Sequence, residues 1–367
     1  MPYAHITGWG MSVPEPVLTN EDLSKIVDTT DEWIRERTGI RERHIARASD
    51  FPSTLGTAAA LKALSVANLK PTDLDLIICS TSTPEHLFPA TACLIQDQLG
   101  ATKAGAFDLL AACTGFIYAV NMAAQSIRSG AIKSALVIGT ETLSRFVNWE
   151  DRNTCILFGD GAGAFVLQAS EKPGGVLSAV MRSDGSGGNL LTLPAGGSRH
   201  PATEATIRAG EHYIYMEGKE VFRFATRVMT QSTEEALKAA GLTKQDVKVI
   251  IPHQANSRII EAAARGLKLP MDRFVVNVDR YGNTSTASIP IATVEAVEKG
   301  RIQAGDKVVF VGFGAGLTWG ALVAEWSGPL PSPRKVNMGR YRLWGRIRSL
   351  LHRFERFLEG LIWGRRA

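Results

Sequence analysis

The chain has 367 residues, of which 45% are hydrophobic and 21% charged, and its formal net charge is +5. That is long enough for one large α/β unit or two closely packed halves, and 35 glycines point to many tight strand-to-helix connections rather than disorder. No run of about 18 apolar residues occurs, which excludes a membrane-spanning helix. Four cysteines, at 79, 93, 113 and 155, form no CxxC pair and have no histidine at ligand spacing, which argues against a metal centre and fits a reducing compartment.

Taken in chain order, Met-Pro-Tyr-Ala-His-Ile-Thr-Gly-Trp-Gly at 1–10 has neither a basic start nor a long apolar run, so no secretory signal is expected. A helix is predicted over 54–66, followed by Asp-Leu-Ile-Ile-Cys-Ser at 75–80, a short β-branched run that reads as a buried strand. Ala-Phe-Asp-Leu-Leu-Ala-Ala-Cys-Thr-Gly-Phe at 106–116 reads as a strand end turning through small residues into a helix over 116–129. Cys113 then sits at a helix N-terminus, where unpaired N–H groups and the helix dipole favour a thiolate and lower a thiol pKa from about 8.5. Two readings are open for it: a nucleophile, or a small hydrophobe buried in a packed turn. The other cysteines, Cys79, Cys93 and Cys155, are expected in the core.

Leu-Val-Ile-Gly at 136–139 is a further strand, after which helices are predicted over 232–240, 256–267 and 287–299, with strands at 248–253 and 309–312. Lys-Val-Ile-Ile-Pro-His (248–253) resembles 75–80, and Val-Phe-Val-Gly (309–312) resembles 136–139, both at an offset of 173 residues. The expected fold is therefore α/β, two halves over 1–175 and 176–326 related by a pseudo-twofold, with matching strand ends converging on one place. Ligands in such sheets gather at the carboxyl ends of strands. His253 ends one of these strands, and Asn283 lies in the turn Tyr-Gly-Asn-Thr-Ser-Thr-Ala-Ser (281–288). Each alone has an ordinary structural explanation, but with Cys113 they form a constellation. The loop Gly312-Phe-Gly-Ala-Gly316 can aim a backbone amide at a reacting oxygen.

Ala-Ala-Cys-Thr-Gly-Phe (111–116), Ile-Pro-His-Gln-Ala-Asn (251–256), Tyr-Gly-Asn-Thr-Ser-Thr-Ala-Ser-Ile-Pro (281–290) and Gly-Phe-Gly-Ala-Gly-Leu-Thr-Trp-Gly (312–320) together resemble 3-oxoacyl-[acyl-carrier-protein] synthase III, a condensing-enzyme family. Asp-Glu-Trp-Ile-Arg-Glu-Arg-Thr-Gly-Ile (31–40) and Asn-Trp-Glu-Asp-Arg-Asn-Thr (148–154) extend the likeness over about residues 1–326. The resemblance implies a thiolase-like fold in α/β/α/β/α layers, a homodimer, and initiation of type II fatty-acid synthesis in the cytoplasm without a cofactor. It implies that Cys113 is acylated by acetyl-CoA or another short acyl-CoA, with the N–H groups of Cys113 and Gly316 as oxyanion hole. His253 and Asn283 then stabilise the enolate formed when malonyl carrier protein loses CO₂. The Cys-His-Asn set separates this family from elongating synthases, which use Cys-His-His, and from thiolases, which use a second cysteine.

Further roles follow from the resemblance alone. Trp33 and Arg152 match the pair that sandwiches the CoA adenine, Thr29 an adenine contact, Arg37 a phosphate contact, and Gly210 and Asn256 pantetheine contacts. Phe88 matches a residue lining the acyl pocket across the dimer interface, while Arg223, Gln254 and Arg258 are assigned to docking acyl carrier protein. Two rival readings stand beside this one: a related condensing or acyl-transfer enzyme of a polyketide or other secondary pathway, and a non-catalytic scaffold that binds the carrier protein. The scaffold would be marked by loss of Cys113, His253 or Asn283, and all three are present.

The resemblance ends before the tail. Ser-Gly-Pro-Leu-Pro-Ser-Pro opens a linker over 327–338, and 339–367 reads as a basic amphipathic helix. Residues 327–367 hold ten basic and two acidic side chains, a charge of +8, which leaves −3 for 1–326. Trp344, Ile347, Leu351, Phe354, Leu358, Leu361 and Ile362 recur at spacings of three and four, while Arg346, Arg348, Arg353 and Arg356 lie largely off that face. Three readings are open: packing on its own subunit or a partner, peripheral contact with an anionic membrane, or nucleic-acid binding. The last is disfavoured because the aromatics follow helical periodicity rather than forming a stacking platform.

Overall fold

The computed structural model describes residues 1–330, 336 and 338–362; half of the proline-rich linker (331–335 and 337) and residues 363–367 lie outside the described residues. Strands β1 (Tyr3–Ser12), β2 (Leu76–Ser80), β3 (Gly105–Leu109), β4 (Ser134–Glu141) and β5 (Gly161–Ser170) make one sheet in the order β1-β5-β4-β2-β3. Strands β6 (Gly175–Ser183), β7 (Val247–Pro252), β8 (Lys307–Gly314) and β9 (Thr318–Glu325) make a second, in the order β7-β8-β9-β6. In the first sheet β2 and β4 run parallel with Leu76 opposite Ala135, and in the second β7 and β8 run parallel with Val249 opposite Val308. The offset of 173 residues carries the first pair onto the second. The duplication seen in the sequence is thus a duplication of sheet register, with β3 added at one edge.

The helices are α1 (Asp31–Thr38), α2 (Pro52–Ala67), α3 (Thr91–Leu99), α4 (Gly115–Arg128), α5 (Gly218–Ala239), α6 (Ser257–Leu267), α7 (Ser288–Glu298) and α8 (Met338–Ile362), alongside shorter turns. Helices α4 and α7 lie between the sheets: Phe116, Val120, Ile289 and Ala292 share one buried cluster with Val137 and Phe165 of the first sheet and Val249 and Phe310 of the second. Helices α2 and α3 cover the outer face of the first sheet and α5 and α6 that of the second. The layers are therefore α/β/α/β/α.

Three expectations change. The helix expected over 232–240 begins at Gly218, because Val221, Phe224, Val228 and Met229 continue its buried stripe. Cys79 and Cys155 are buried, but Cys93 is exposed on the outward side of α3 rather than in the core. Helix α8 begins inside the expected linker, at Met338, and the side chains of Leu361 and Ile362 are not among those described. Among the described residues no helix is long and apolar enough to cross a membrane.

Candidate active site

Cys113 lies on a single 3₁₀ turn, Ala112–Thr114, between β3 and α4, so the N-terminus of a 14-residue helix opens beside it. The equivalent turn of the second half, Ser285–Ala287, precedes α7. The residue entering each turn has a left-handed backbone, φ 46° at Ala112 and 48° at Ser285, a conformation costing about 1 kcal/mol or more outside glycine. Glycine at 314 lets the two halves close together, since a Cβ there would lie 2.8 Å from the Cys113 amide nitrogen.

Cys113, His253 and Asn283 line one cavity, about 560 Å³ with its open mouth, whose wall also includes Gly314, Phe313 and Asn256. His253 follows β7, its amide donating to the Val311 carbonyl at 2.8 Å, and its Nδ1 lies 2.7 Å from Ser288 Oγ. A hydroxyl both donates and accepts, so Ser288 holds the ring in either tautomer. Nε2 is buried with no partner among the described residues. Asn283 Oδ1 accepts from the Ser285 amide at 2.8 Å, which orients the side chain with Nδ2 as its remaining donor. The ring of Phe313 meets His253 edge to face at 5.3 Å.

Burial governs the protonation of these groups. The Cys113 thiol is pushed up to about 12, opposed by hydrogen bonds from the Ser285 hydroxyl and its own amide, so the helix terminus does not make a resting thiolate as expected. His253 is pushed down to about 3 and stays neutral. A neutral thiol therefore stands beside a neutral imidazole. Beneath them lies Glu141, at the end of β4, raised to about 7 by burial and partly held down by the Thr83 hydroxyl, the Ser82 amide and the Ser285 hydroxyl. Its Oε2 accepts from Thr83 Oγ1 at 2.7 Å. Ser285 thus touches both Cys113 and Glu141. Neither was singled out from sequence, since Glu141 joins Cys113 only through the folded turn.

Cys113 also lines a second, mostly apolar cavity with Leu143, Phe146, Leu191, Ile214 and Ala315. Ala315 borders this space, whereas Gly316, the expected second oxyanion donor, lines neither cavity. Phe88 is 85% exposed and lines neither cavity of its own chain.

Four of the residues matched to CoA, Trp33, Arg37, Arg152 and Asn256, form a cluster at the surface. The guanidinium carbons of Arg37 and Arg152 lie 4.6 and 5.2 Å from the Trp33 ring centroid. Asn256 Nδ2 donates to the Arg37 carbonyl at 2.9 Å while its Oδ1 caps α6, which links the cluster to the cavity wall. The Thr29 hydroxyl is buried without a partner among the described residues. Gly210, on the turn after a short helix, Glu204–Arg208, has a φ of 71° and lines neither cavity. Arg258 is exposed and lies over the ring of Phe222, a cavity residue, and Arg223 on α5 pairs with Glu220. Gln254 is corrected: it is 1% exposed, and its amide bonds Pro252 O, Val275 O and Asn277 N, so it braces β7 and cannot meet a docking protein. Among the described residues no group of three or more His, Cys, Asp or Glu is arranged to hold a metal.

Comparison with known proteins identifies the family. Residues 107–185 match the family described as 3-oxoacyl-[acyl-carrier-protein] synthase III, and 237–326 match its C-terminal part. A beta-ketoacyl-[acyl-carrier-protein] synthase III of Desulfitobacterium hafniense is 56% identical over 322 residues, covering 88% of this chain and 97% of that protein. The protein of the same description from Roseiflexus sp. is 53% identical over 325 residues, covering 89% and 99%. The crystal structure of 3-oxoacyl-[acyl-carrier-protein] synthase III from Aquifex aeolicus superposes with a TM-score of 0.82 at 48% identity, covering 88% of this chain and 100% of that one.

Proposed function

The chain belongs to the beta-ketoacyl-[acyl-carrier-protein] synthase III family, the initiating condensing enzymes of fatty-acid synthesis, and from that premise we propose how its residues divide the reaction. Half 1–175 supplies the nucleophile and half 176–326 the enolate-binding donors. The observation that carries this reading is the position of Cys113 at the junction of two cavities, one apolar and one shared with His253 and Asn283.

In the first step Cys113 Sγ attacks the thioester carbonyl of acetyl-CoA or another short acyl-CoA, the C–S bond to CoA breaks, and the thiol proton leaves with the CoA sulfur by way of His253 Nε2. The amides of Cys113 and Ala315 hold the oxyanion. Trp33, Arg37, Arg152, Thr29, Gly210 and Asn256 hold the CoA, and the acyl group enters the cavity of Leu143 and Ile214. In the second step malonyl carrier protein loses CO₂, and the electron pair left behind forms an enolate whose oxygen accepts hydrogen bonds from His253 Nε2–H and Asn283 Nδ2–H. The enolate carbon attacks the acyl-Cys113 carbonyl, the C–S bond breaks, and the released thiolate takes a proton from solvent. A neutral His253 suits both duties, since Ser288 stabilises either tautomer.

The acyl carrier protein docks at Arg223 and Arg258 beside the cavity mouth. A homodimer is supported by β3, whose outer edge has no partner strand among the described residues, with Phe107, Leu110, Leu87 and Phe88 exposed. The setting is cytoplasmic, with peripheral membrane contact through 338–362. Incubation with a panel of acyl-CoAs and malonyl carrier protein, followed by mass analysis of products and of tryptic peptides, tests the chemistry. An acyl adduct on Cys113 and a 3-oxoacyl carrier protein are expected; an adduct on Cys79, Cys93 or Cys155 instead overturns the assignment.

A further inference from the structure

Helix α8 is fastened by its small and polar side. Gly345 is buried against the end of α3, where a Cβ would meet the Gln98 carbonyl oxygen at 2.8 Å and where Gly100 also abuts it. Ser349 Oγ bonds the Asp97 carboxylate at 2.6 Å, and Arg353 reaches the same group at 3.9 Å. A surface helix ordinarily turns its apolar stripe to its own core. Here the stripe points away: Trp344, Ile347, Leu350, Leu351, Phe354 and Phe357 are all exposed, Trp344 to 62% and Leu350 to 66%. A contiguous apolar surface of this kind marks an interaction site.

Charge decides what covers it. The helix carries six arginines against two glutamates, and Arg334, Lys335, Arg365 and Arg366 bracket it in the sequence. Arg348 and Arg356 are exposed. A second copy of α8 would set this positive charge against itself, whereas an anionic bilayer offers hydrocarbon to the stripe and phosphates to the arginines. We infer that α8 docks the enzyme on an anionic lipid bilayer, lying in the headgroup plane with the stripe from Trp344 to Phe357 inserted. This deepens the membrane contact named above and is independent of the condensing chemistry.

Vesicle cosedimentation of the full-length protein tests it. Binding to phosphatidylglycerol/phosphatidylcholine vesicles at low salt, and not to phosphatidylcholine alone, is expected, together with a blue shift of fluorescence that Trp344→Phe diminishes. Phe354→Glu/Phe357→Glu should weaken binding by about tenfold or more, and Arg348→Gln/Arg356→Gln should weaken it and flatten its salt dependence. Condensing activity in solution, unchanged in each variant, reports that the catalytic region is intact and keeps the two readings separable. Absence of vesicle binding by the wild type, or binding that survives the glutamate pair, overturns the inference. So does a glutamate pair that lowers the oligomeric state in a wild type that ignores lipid, since the stripe is then covered by a second copy.

Discussion

Around Cys113 a single physical fact, removal from water, acts in opposite senses on neighbouring groups: it raises the pKa of the thiol and of the Glu141 carboxyl and lowers that of the imidazole. A neutral imidazole whose Nε2 has no partner among the described residues, and an amide turned by the Ser285 N–H, are placed to donate to an oxyanion. His253→Ala or Asn283→Ala should therefore slow malonyl decarboxylation by about 10²–10³ while slowing acylation of Cys113 less, read by separate assays of CO₂ release and acyl-enzyme formation. Equal losses in both half-reactions would contradict the division of labour. Glu141 gives a test in stability. It titrates near 4.5 when unfolded and at about 7 when folded, so between those values the unfolded chain has lost a proton that the folded chain keeps. Folding stability must then fall as pH rises from about 4.5 to about 7 and level off above, a change worth about 3 kcal/mol. In Glu141→Gln this component disappears, and urea midpoints measured across the range should decline less than in the wild type. Parallel declines would mean that Glu141 is ionised in the native protein.

Elements meet at the nucleophile with no slack, because the β8 end approaches the Cys113 turn at backbone distance. Gly314→Val would drive a side chain into the Cys113 amide, so acylation should fall by about 10²-fold while circular dichroism stays that of the wild type. Retained acylation would show that this amide is not used. How such elements could be foreseen differs from case to case. Strands β2, β4, β7 and β8 were legible because buried parallel strands must be continuous β-branched runs, and their repetition at one offset exposed the duplication. His253 was legible because it ends one of those runs, and Cys113 and Asn283 because each stands in a stretch of small residues that turns into a helix. Glu141 and Ser285 were not, since their contact with Cys113 exists only when the two halves close. Gln254 misled for a related reason: a polar residue next to a catalytic histidine reads as available, but its three hydrogen bonds are to backbone groups, two of them beyond residue 274. In α8 the periodicity told which residues share a face and could not tell which face is docked, a choice made by Gly345 fitting where no side chain can.

At the scale of the whole molecule, catalysis and the proposed membrane attachment fall on different parts of the chain. Arg258 stands over Phe222 at the cavity wall, and the proposed docking of the carrier protein uses it there. Arg258→Glu should raise KM for malonyl carrier protein on the order of tenfold and leave that for acetyl-CoA nearly unchanged; equal rises would place the residue with CoA instead. The catalytic region closes on itself before the tail begins. Trp326 is 1% exposed, its ring 5.0 Å from Trp9 and 6.0 Å from Phe165, and Ser327 Oγ lies 2.6 Å from His5 Nδ1. Helix α8 adds to this body the polar contacts with Asp97 and the approach of Gly345 to the end of α3, while its large apolar side chains remain outside. Contacts of that kind contribute on the order of 1–2 kcal/mol together, against tens of buried side chains in the layers. Truncation after Leu330, which keeps Trp326 and Ser327, should accordingly leave condensing activity intact and shift thermal unfolding by only a few degrees. A truncated protein that unfolds at much lower temperature, or whose α3 becomes open to proteolysis together with loss of activity, would make α8 a structural brace of the first half.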